Sequence, residues 1–152
     1  MTYKDMSGLD TDLVVHHLTV DPKIKPVKQK LHKMHPKVAL LVKVELQKML
    51  EAKLIHPFDY PKWVSNIVPI GKASGGIYVC LYFWDLNLAC PKDDFPLPNI
   101  DIIVDLTVGH EMLSLMDGFF GYYQIKIAEE DQHKMTFTTP WGTFCYQVMP
   151  FG

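Results

Sequence analysis

The sequence predicts an α+β fold, and three observations indicate it. The chain has 152 residues, 48% of them hydrophobic, which suits one domain built around a single core. Residues 38–54 repeat apolar side chains at spacings of three, four and eight, the periodicity of one helix face. Residues 63–70 and 77–83 are rich in β-branched and aromatic residues and predict a hairpin. Since two strands alone are unstable in water, we expect the helix to pack against the hairpin.

The helix is predicted to begin near Pro36, because proline suits the first helical turn, and to be terminated by Pro57. The apolar stripe that should face the core consists of Val38, Leu41, Val42, Leu46, Met49, Leu50 and Leu54. Glycines 71, 75 and 76 between the two strands predict a turn with Lys72 near its tip.

The remaining segments carry clear local signals. Three prolines between residues 91 and 98 exclude a helix or a central strand and predict a loop. Asn99 is expected to cap a short apolar helix. Alternating apolar residues from 124 to 149 predict short strands arranged as a meander, with a polar turn at 129–132.

Charge and cysteine content exclude several classes of protein. Seventeen acidic residues face fifteen basic ones, all lysine, so the chain is not a generally basic nucleic-acid coat. Residues 1–35 form a predicted extended arm whose lysines suit either solvent or phosphate groups. Three separated cysteines without a Cys-x-x-Cys pair favour a reducing compartment over a disulfide framework or zinc site. No apolar run approaches the roughly 20 residues of a membrane span, so we expect an intracellular protein without a membrane partner.

Asp117 is the acidic residue with the clearest possible chemistry. It follows the apolar run 112–116 and precedes Gly118, so its carboxylate could hold a divalent cation at the end of a strand. Aspartate before glycine is also a frequent turn dipeptide, and the local sequence leaves both interpretations open. Asp93 and Asp94 lie in the proline-rich loop, where turn and cap roles are favoured.

Eight segments, read in order, resemble the reverse transcriptase of gypsy-class LTR retrotransposon Gag-Pol polyproteins, most closely those of plants. These segments are DMSGLD at 5–10, HLTVDP at 17–22, PVKQK at 26–30, WVSNIVP at 63–69, DLN at 85–87, LSLMDG at 113–118, GYYQI at 121–125 and FTTPWGTF at 137–144. The resemblance covers nearly the whole chain, and its ordered motifs are more specific than any single one.

This resemblance implies a right-hand polymerase. A lead-in arm at 1–35 would precede a reverse transcriptase domain at 36–152, with fingers at about 36–84 and the start of the palm at about 85–152. The implied reaction is that of an RNA-directed DNA polymerase, a nucleotidyltransferase that uses Mg²⁺, or Mn²⁺, to extend a primer on an RNA or DNA template with deoxynucleotide triphosphates. The other implied partner is the rest of the Pol polyprotein, and the implied location is the cytoplasm, in a virus-like particle of an active transposable element.

The resemblance also assigns roles to individual residues. Asp117 matches the first catalytic aspartate, a metal ligand in a two-metal site. Lys72 matches the fingers lysine that meets the incoming triphosphate. Tyr122 matches the aromatic residue beneath the nucleotide sugar, and Gln124 lies nearby in sequence. Phe151 and Gly152 begin the segment that contacts template and nucleotide.

Departures from the family pattern support a second hypothesis. Tyr78 stands where relatives have an arginine that grips the triphosphate, and Phe120 replaces a small residue. The second catalytic aspartate hairpin would lie after Gly152, so we expect a truncated polymerase. Histidine or tryptophan at positions 17, 56 and 84 occupies places where relatives commonly have arginine. The alternative is therefore a degenerate, inactive relic that acts at most as a nucleic-acid-binding or interaction module.

Overall fold

The structure is a computed structural model that describes residue 3 and residues 8–73, 75–92, 94, 96, 98–114 and 121–150. The elements in chain order are β1 (Val15–His16), α1 (Pro36–Glu51), β2 (Ile55–Pro57), β3 (Ser65–Gly71), β4 (Ile77–Leu81), α2 (Trp84–Ala89), α3 (Ile100–Thr107), a 3₁₀ turn (Gly121–Gln124), β5 (Lys126–Ile127), α4 (Glu129–Gln132), β6 (Thr136–Thr139) and β7 (Gly142–Tyr146). In this part of the chain, every helix is too short or too polar to cross a membrane.

Helix α1 begins at Pro36, as predicted, but it ends at Glu51, well before Pro57. The N-cap is His35, whose side chain accepts a hydrogen bond from the Lys37 N–H at 3.3 Å. At the other end, the Leu54 N–H donates to the Met49 carbonyl, and the Lys53 N–H donates to the Leu50 carbonyl, each at 3.0 Å. These two bonds form a Schellman motif, which requires Lys53 to adopt a left-handed backbone with φ of 57°. The left-handed backbone at Lys53, and not the proline, therefore terminates the helix.

A five-stranded sheet in the order β2-β7-β6-β3-β4 forms the centre of the fold. The predicted β3–β4 hairpin is confirmed, with Ile70 opposite Tyr78. The predicted meander is only partly correct. Strands β6 and β7 form an antiparallel pair, but β6 also pairs in parallel with β3, and the short β5 pairs with β1. Alternation along a strand sets which side chains share a face, and it does not identify the neighbouring strand.

Helix α1 packs against this sheet, as the sequence predicts. One buried cluster contains Val42, Leu46 and Met49 from the helix together with Ile67, Val79, Leu81, Phe137 and Tyr146 from the strands. Leu41, which the stripe assigns to the core, is 42% exposed and lies at the edge of the packed face. Helix α3 is capped by Asn99, as predicted, and its apolar side chains are exposed.

The segment before α1 is attached to the domain by buried polar side chains. The Asn66 side chain donates to the Lys30 carbonyl at 2.8 Å and accepts from the His32 N–H at 2.9 Å. Asp131 accepts from the Leu18 N–H at 2.8 Å. Residues 18–32 are thus held to β3 and to α4 by specific hydrogen bonds, although they contain little regular structure.

Candidate functional site

Lys72 lies in the turn of the β3–β4 hairpin, as the sequence predicts. Its N–H donates to the Gly76 carbonyl at 2.7 Å, and its own carbonyl accepts from the Gly75 N–H at 3.0 Å. Gly75 has a φ of 86°, a conformation that a residue with a Cβ adopts only at a cost. The tight turn therefore fixes the backbone from which the Lys72 side chain extends.

The Lys72 ammonium is engaged on two sides. Its Nζ lies 3.5 Å from Glu45 Oε1, on helix α1, and 4.4 Å from the centre of the Tyr78 ring, on β4. The second contact is a cation–π interaction, in which the face of the aromatic ring attracts the positively charged ammonium. The Lys72 side chain is 25% exposed, so it remains partly accessible to solvent.

Glu45 is a buried carboxylate at the centre of this group, with 6% of its surface exposed. Besides Lys72, its oxygens accept a hydrogen bond from the Tyr3 hydroxyl at 2.7 Å and one from Lys48 Nζ at 3.3 Å. Burial by itself raises the pKa of Glu45. The hydrogen bond from Tyr3 and the charges of Lys72 and Lys48 outweigh burial and hold that pKa below its ordinary value. Glu45 is therefore ionised at neutral pH.

Tyr3 connects this charged group to the 3₁₀ turn that contains Tyr122 and Gln124. Burial and the Glu45 carboxylate raise the pKa of Tyr3 far above its ordinary value, so its hydroxyl remains a donor. The Tyr3 ring packs edge-on against Tyr123, with centroids 5.9 Å apart, in the Gly121–Gln124 turn. Tyr122 is 53% exposed in the same turn, and the Gln124 carbonyl accepts from the Leu9 N–H at 2.8 Å.

The structure thus brings Lys72 and the Tyr122 turn into one connected region through Glu45, Tyr3 and Tyr123. The other proposed site residues, Asp117, Phe151 and Gly152, lie outside the described residues, as does Phe120. Sequence reasoning missed Glu45 and Tyr3. A signal for Glu45 was present, because it is a charged residue within the apolar face that Val42, Leu46 and Met49 define.

A second polar group lies where α4 meets the N-terminal segment. His17 Nδ1 lies 3.6 Å from Glu130 Oε1 and 3.9 Å from Asp131 Oδ2, a spacing that a metal ion could bridge. Asp131 is already occupied, however, by Lys134 Nζ at 2.5 Å and by the Leu18 N–H. Because an ammonium group is already paired with Asp131, the arrangement favours attachment of the N-terminal segment over metal binding.

Comparisons with known proteins show which sequences the chain resembles. No protein-family model matches it. It is 26% identical, over its whole length, to the retrovirus-related Pol polyprotein from transposon 297 of Drosophila melanogaster, of which it covers 15%. It is 32% identical over 74 residues, 49% of the chain, to an RNA-directed DNA polymerase homolog of Oenothera berteroana, of which it covers 52%. The chain therefore spans only part of the curated relatives it matches.

Solved structures give the same result for the fold. The native prototype foamy virus protease-reverse transcriptase matches 91% of the chain with a TM-score of 0.75 at 18% identity, and the chain covers 18% of it. The foamy viral protease-reverse transcriptase in complex with an RNA/DNA hybrid matches 90% with a TM-score of 0.71 at 14% identity, again over 18% of that chain. By sequence the chain is homologous to retrotransposon Pol polyproteins and to an RNA-directed DNA polymerase homolog, and its fold resembles that of reverse transcriptases.

Proposed function

We propose that this chain supplies the fingers and the early palm of an RNA-directed DNA polymerase, which adds deoxynucleotides to a primer when the rest of the Pol polyprotein is present. The observation that carries the proposal is the similarity of the whole chain to a retrotransposon Pol polyprotein, combined with the fold of a reverse transcriptase. The ordered motifs favour an element of the gypsy class. The reaction would take place in the cytoplasm, within a virus-like particle.

The template is proposed to be RNA or DNA carrying a primer. One structural neighbour is a complex with an RNA/DNA hybrid, which supports this class of partner. Lys23, Lys25, Lys28, Lys30 and Lys33 are all exposed on the N-terminal segment. Such a row can contact phosphates of the nucleic acid backbone, and we expect the binding to weaken as salt concentration rises.

The nucleotide is proposed to bind beside the hairpin turn. Lys72 would meet the triphosphate through its partly exposed ammonium, and the exposed ring of Tyr122 would lie beneath the sugar, with Gln124 beside it. Tyr78 cannot donate the two charged hydrogen bonds with which an arginine guanidinium binds phosphate. Its ring instead forms a cation–π interaction with the Lys72 ammonium. We therefore expect weaker triphosphate binding than in relatives that have the arginine.

Asp117 is proposed to be a catalytic residue and a metal ligand. Similarity to reverse transcriptases supports use of a divalent metal, and Mg²⁺ prefers carboxylate oxygens. When bound, the metal would neutralise charge that develops on the phosphate being transferred.

A chimera tests the proposal. Residues 1–152 would replace the matching segment of an active retrotransposon Pol polyprotein, and DNA synthesis on a primed RNA template would be measured. We expect synthesis that is weaker than in the parent, rises about tenfold with Tyr78→Arg and disappears with Asp117→Asn. Synthesis that is unchanged by Asp117→Asn, or absent even with Tyr78→Arg, would contradict the proposal.

The second candidate function is that of an inactive relic that binds nucleic acid. This function is favoured by Tyr78, which stands where relatives have an arginine, and by the composition, since all fifteen basic residues are lysine. The purified chain alone is expected to incorporate no deoxynucleotide with Mg²⁺ or Mn²⁺ under either function. Salt-dependent binding of the chain to a primer–template, together with an inactive Tyr78→Arg chimera, would select the relic.

A further inference from the structure

We propose that Glu45 is an internal anion that competes with the nucleotide triphosphate for Lys72 and so limits triphosphate binding. The inference rests on the proposed function, because it takes Lys72 as the triphosphate ligand. It goes further by assigning a regulatory role to a buried acidic residue on the fingers helix.

The Glu45 carboxylate and a bound triphosphate would both pair with the Lys72 ammonium. Lys72 Nζ is 3.5 Å from Glu45 Oε1, and the Tyr78 ring covers another side of the ammonium at 4.4 Å. An approaching phosphate must therefore either displace the Glu45 carboxylate or share the ammonium with it.

The contact distances also indicate that Lys72 is the more weakly held partner of Glu45. Charge-assisted hydrogen bonds are typically about 2.7–2.9 Å long, and the bond from the Tyr3 hydroxyl is 2.7 Å. The Lys72 contact, at 3.5 Å, is well beyond that range, while Lys48 lies at 3.3 Å. Tyr3 and Lys48 can keep the carboxylate in place after Lys72 has moved away.

A carboxylate that stays in place has a second effect on the ligand. After Lys72 turns to the triphosphate, the ionised Glu45 remains nearby, and like charges repel strongly where water is largely excluded. Glu45 is 6% exposed, so solvent screens its charge poorly. Competition for Lys72 and repulsion of phosphate therefore act in the same direction, and both lower triphosphate affinity.

The test measures binding of inorganic tripolyphosphate to the purified chain by isothermal titration calorimetry. Glu45→Gln removes the charge and keeps an oxygen that can accept from Tyr3, and we expect it to tighten binding about tenfold. Glu51→Gln is the matched control, because it makes the same charge change at an exposed position of the same helix. We expect Glu51→Gln to change affinity less than twofold.

A double variant separates this mechanism from a general structural effect. Lys72→Gln should weaken binding, and Glu45→Gln combined with Lys72→Gln should lose the tenfold gain, because the gain requires Lys72. A gain that persists without Lys72, or no gain in a folded Glu45→Gln chain, would overturn the inference. If Glu45→Gln fails to fold, Tyr3→Phe provides an opposite prediction. It frees Oε1 for Lys72 and should weaken binding about twofold, whereas unchanged or tighter binding would overturn the inference.

Failure of the inference and failure of the proposed function give different results. If Lys72→Gln weakens tripolyphosphate binding but Glu45→Gln does not strengthen it, only the role of Glu45 is wrong. If Lys72→Gln does not change tripolyphosphate binding, Lys72 is not a triphosphate ligand. Both the binding role of Lys72 and the competing role of Glu45 are then wrong. An inactive chimera instead counts against the polymerase function, whatever the calorimetry shows.

Discussion

Replacing Lys53 with glycine should stabilise the protein. Lys53 follows the last turn of α1 and has a φ of 57°, in the left-handed region that the Schellman motif requires. An L-residue with a side chain pays about 1–2 kcal/mol there relative to glycine. Lys53 is exposed, so its replacement should not disturb the core.

Two smaller effects oppose this gain. Glycine makes the unfolded chain more flexible, which costs about 0.4–1 kcal/mol. Loss of a positive charge at a helix C-terminus costs about 0.3 kcal/mol or somewhat more. We expect Lys53→Gly to raise the free energy of unfolding by about 0.5 kcal/mol, and Lys53→Ala, which keeps the Cβ atom, to lower it by a few tenths.

Urea unfolding followed by circular dichroism at pH 7 would measure both variants against the parent. The comparison of Gly with Ala is the sharper one, because both variants lose the lysine charge and differ in the Cβ atom. If Lys53→Ala were as stable as Lys53→Gly, the left-handed conformation would carry no cost at this position, and our account of how the helix ends would be wrong.

Three further outcomes follow from buried polar and thiol groups. Burial by itself raises the pKa of Asp131, but hydrogen bonds from Lys134 and from the Leu18 N–H outweigh burial and lower that pKa in the folded protein. The ionised Asp131 therefore stabilises the fold fully above about pH 5. This stabilisation is lost as the pH falls through the pKa of the unfolded state, near about 3.9, and then through the lower pKa of the folded state. Asp131→Asn should therefore destabilise by about 1.5–3 kcal/mol in urea at pH 7 and by clearly less at pH 3.5; an equal loss at both would contradict this. Burial raises the pKa of Cys145 to about 12, so a thiol reagent at pH 8 should modify the partly exposed Cys80 and Cys90 first and Cys145 only after unfolding. Asn66→Ala should lower the free energy of unfolding by about 2–4 kcal/mol, because it leaves several buried partners unsatisfied; a loss below 1 kcal/mol would show that these bonds do not hold the N-terminal segment.

Local sequence signals correctly predicted the elements whose stability is local. The helix start at Pro36, the β3–β4 hairpin with Lys72 at its turn and the Asn99 cap each depend on residues close together in the chain. The end of α1 was placed too late because the left-handed position carries lysine, which gives no stop signal comparable to glycine. The short strand β2 was missed because Pro57 was interpreted as the end of the helix, so no strand was expected at residues 55–57; an edge strand tolerates proline.

The candidate site was predictable in part for a related reason. The resemblance pointed to Lys72 and to the Tyr122 turn, and the structure places both in one region. The pairing of Lys72 with Glu45 and of Glu45 with Tyr3 joins segments that are distant in the chain. No local pattern identifies such a pairing, because it depends on how α1, the hairpin and the N-terminal segment pack together.

The interleaved strand order has a consequence for synthesis on the ribosome. Strands β2 and β3 appear early, but β7 and β6 fill the positions beside them, so the sheet cannot close until residues 136–146 have left the exit tunnel. At about 5–20 residues per second, several seconds pass during which the facing edges of β2 and β3 are open to other chains. Because these pairings join strands that are far apart in the chain, the sheet should form slowly, and nascent chains should depend on chaperones until β6 and β7 are available.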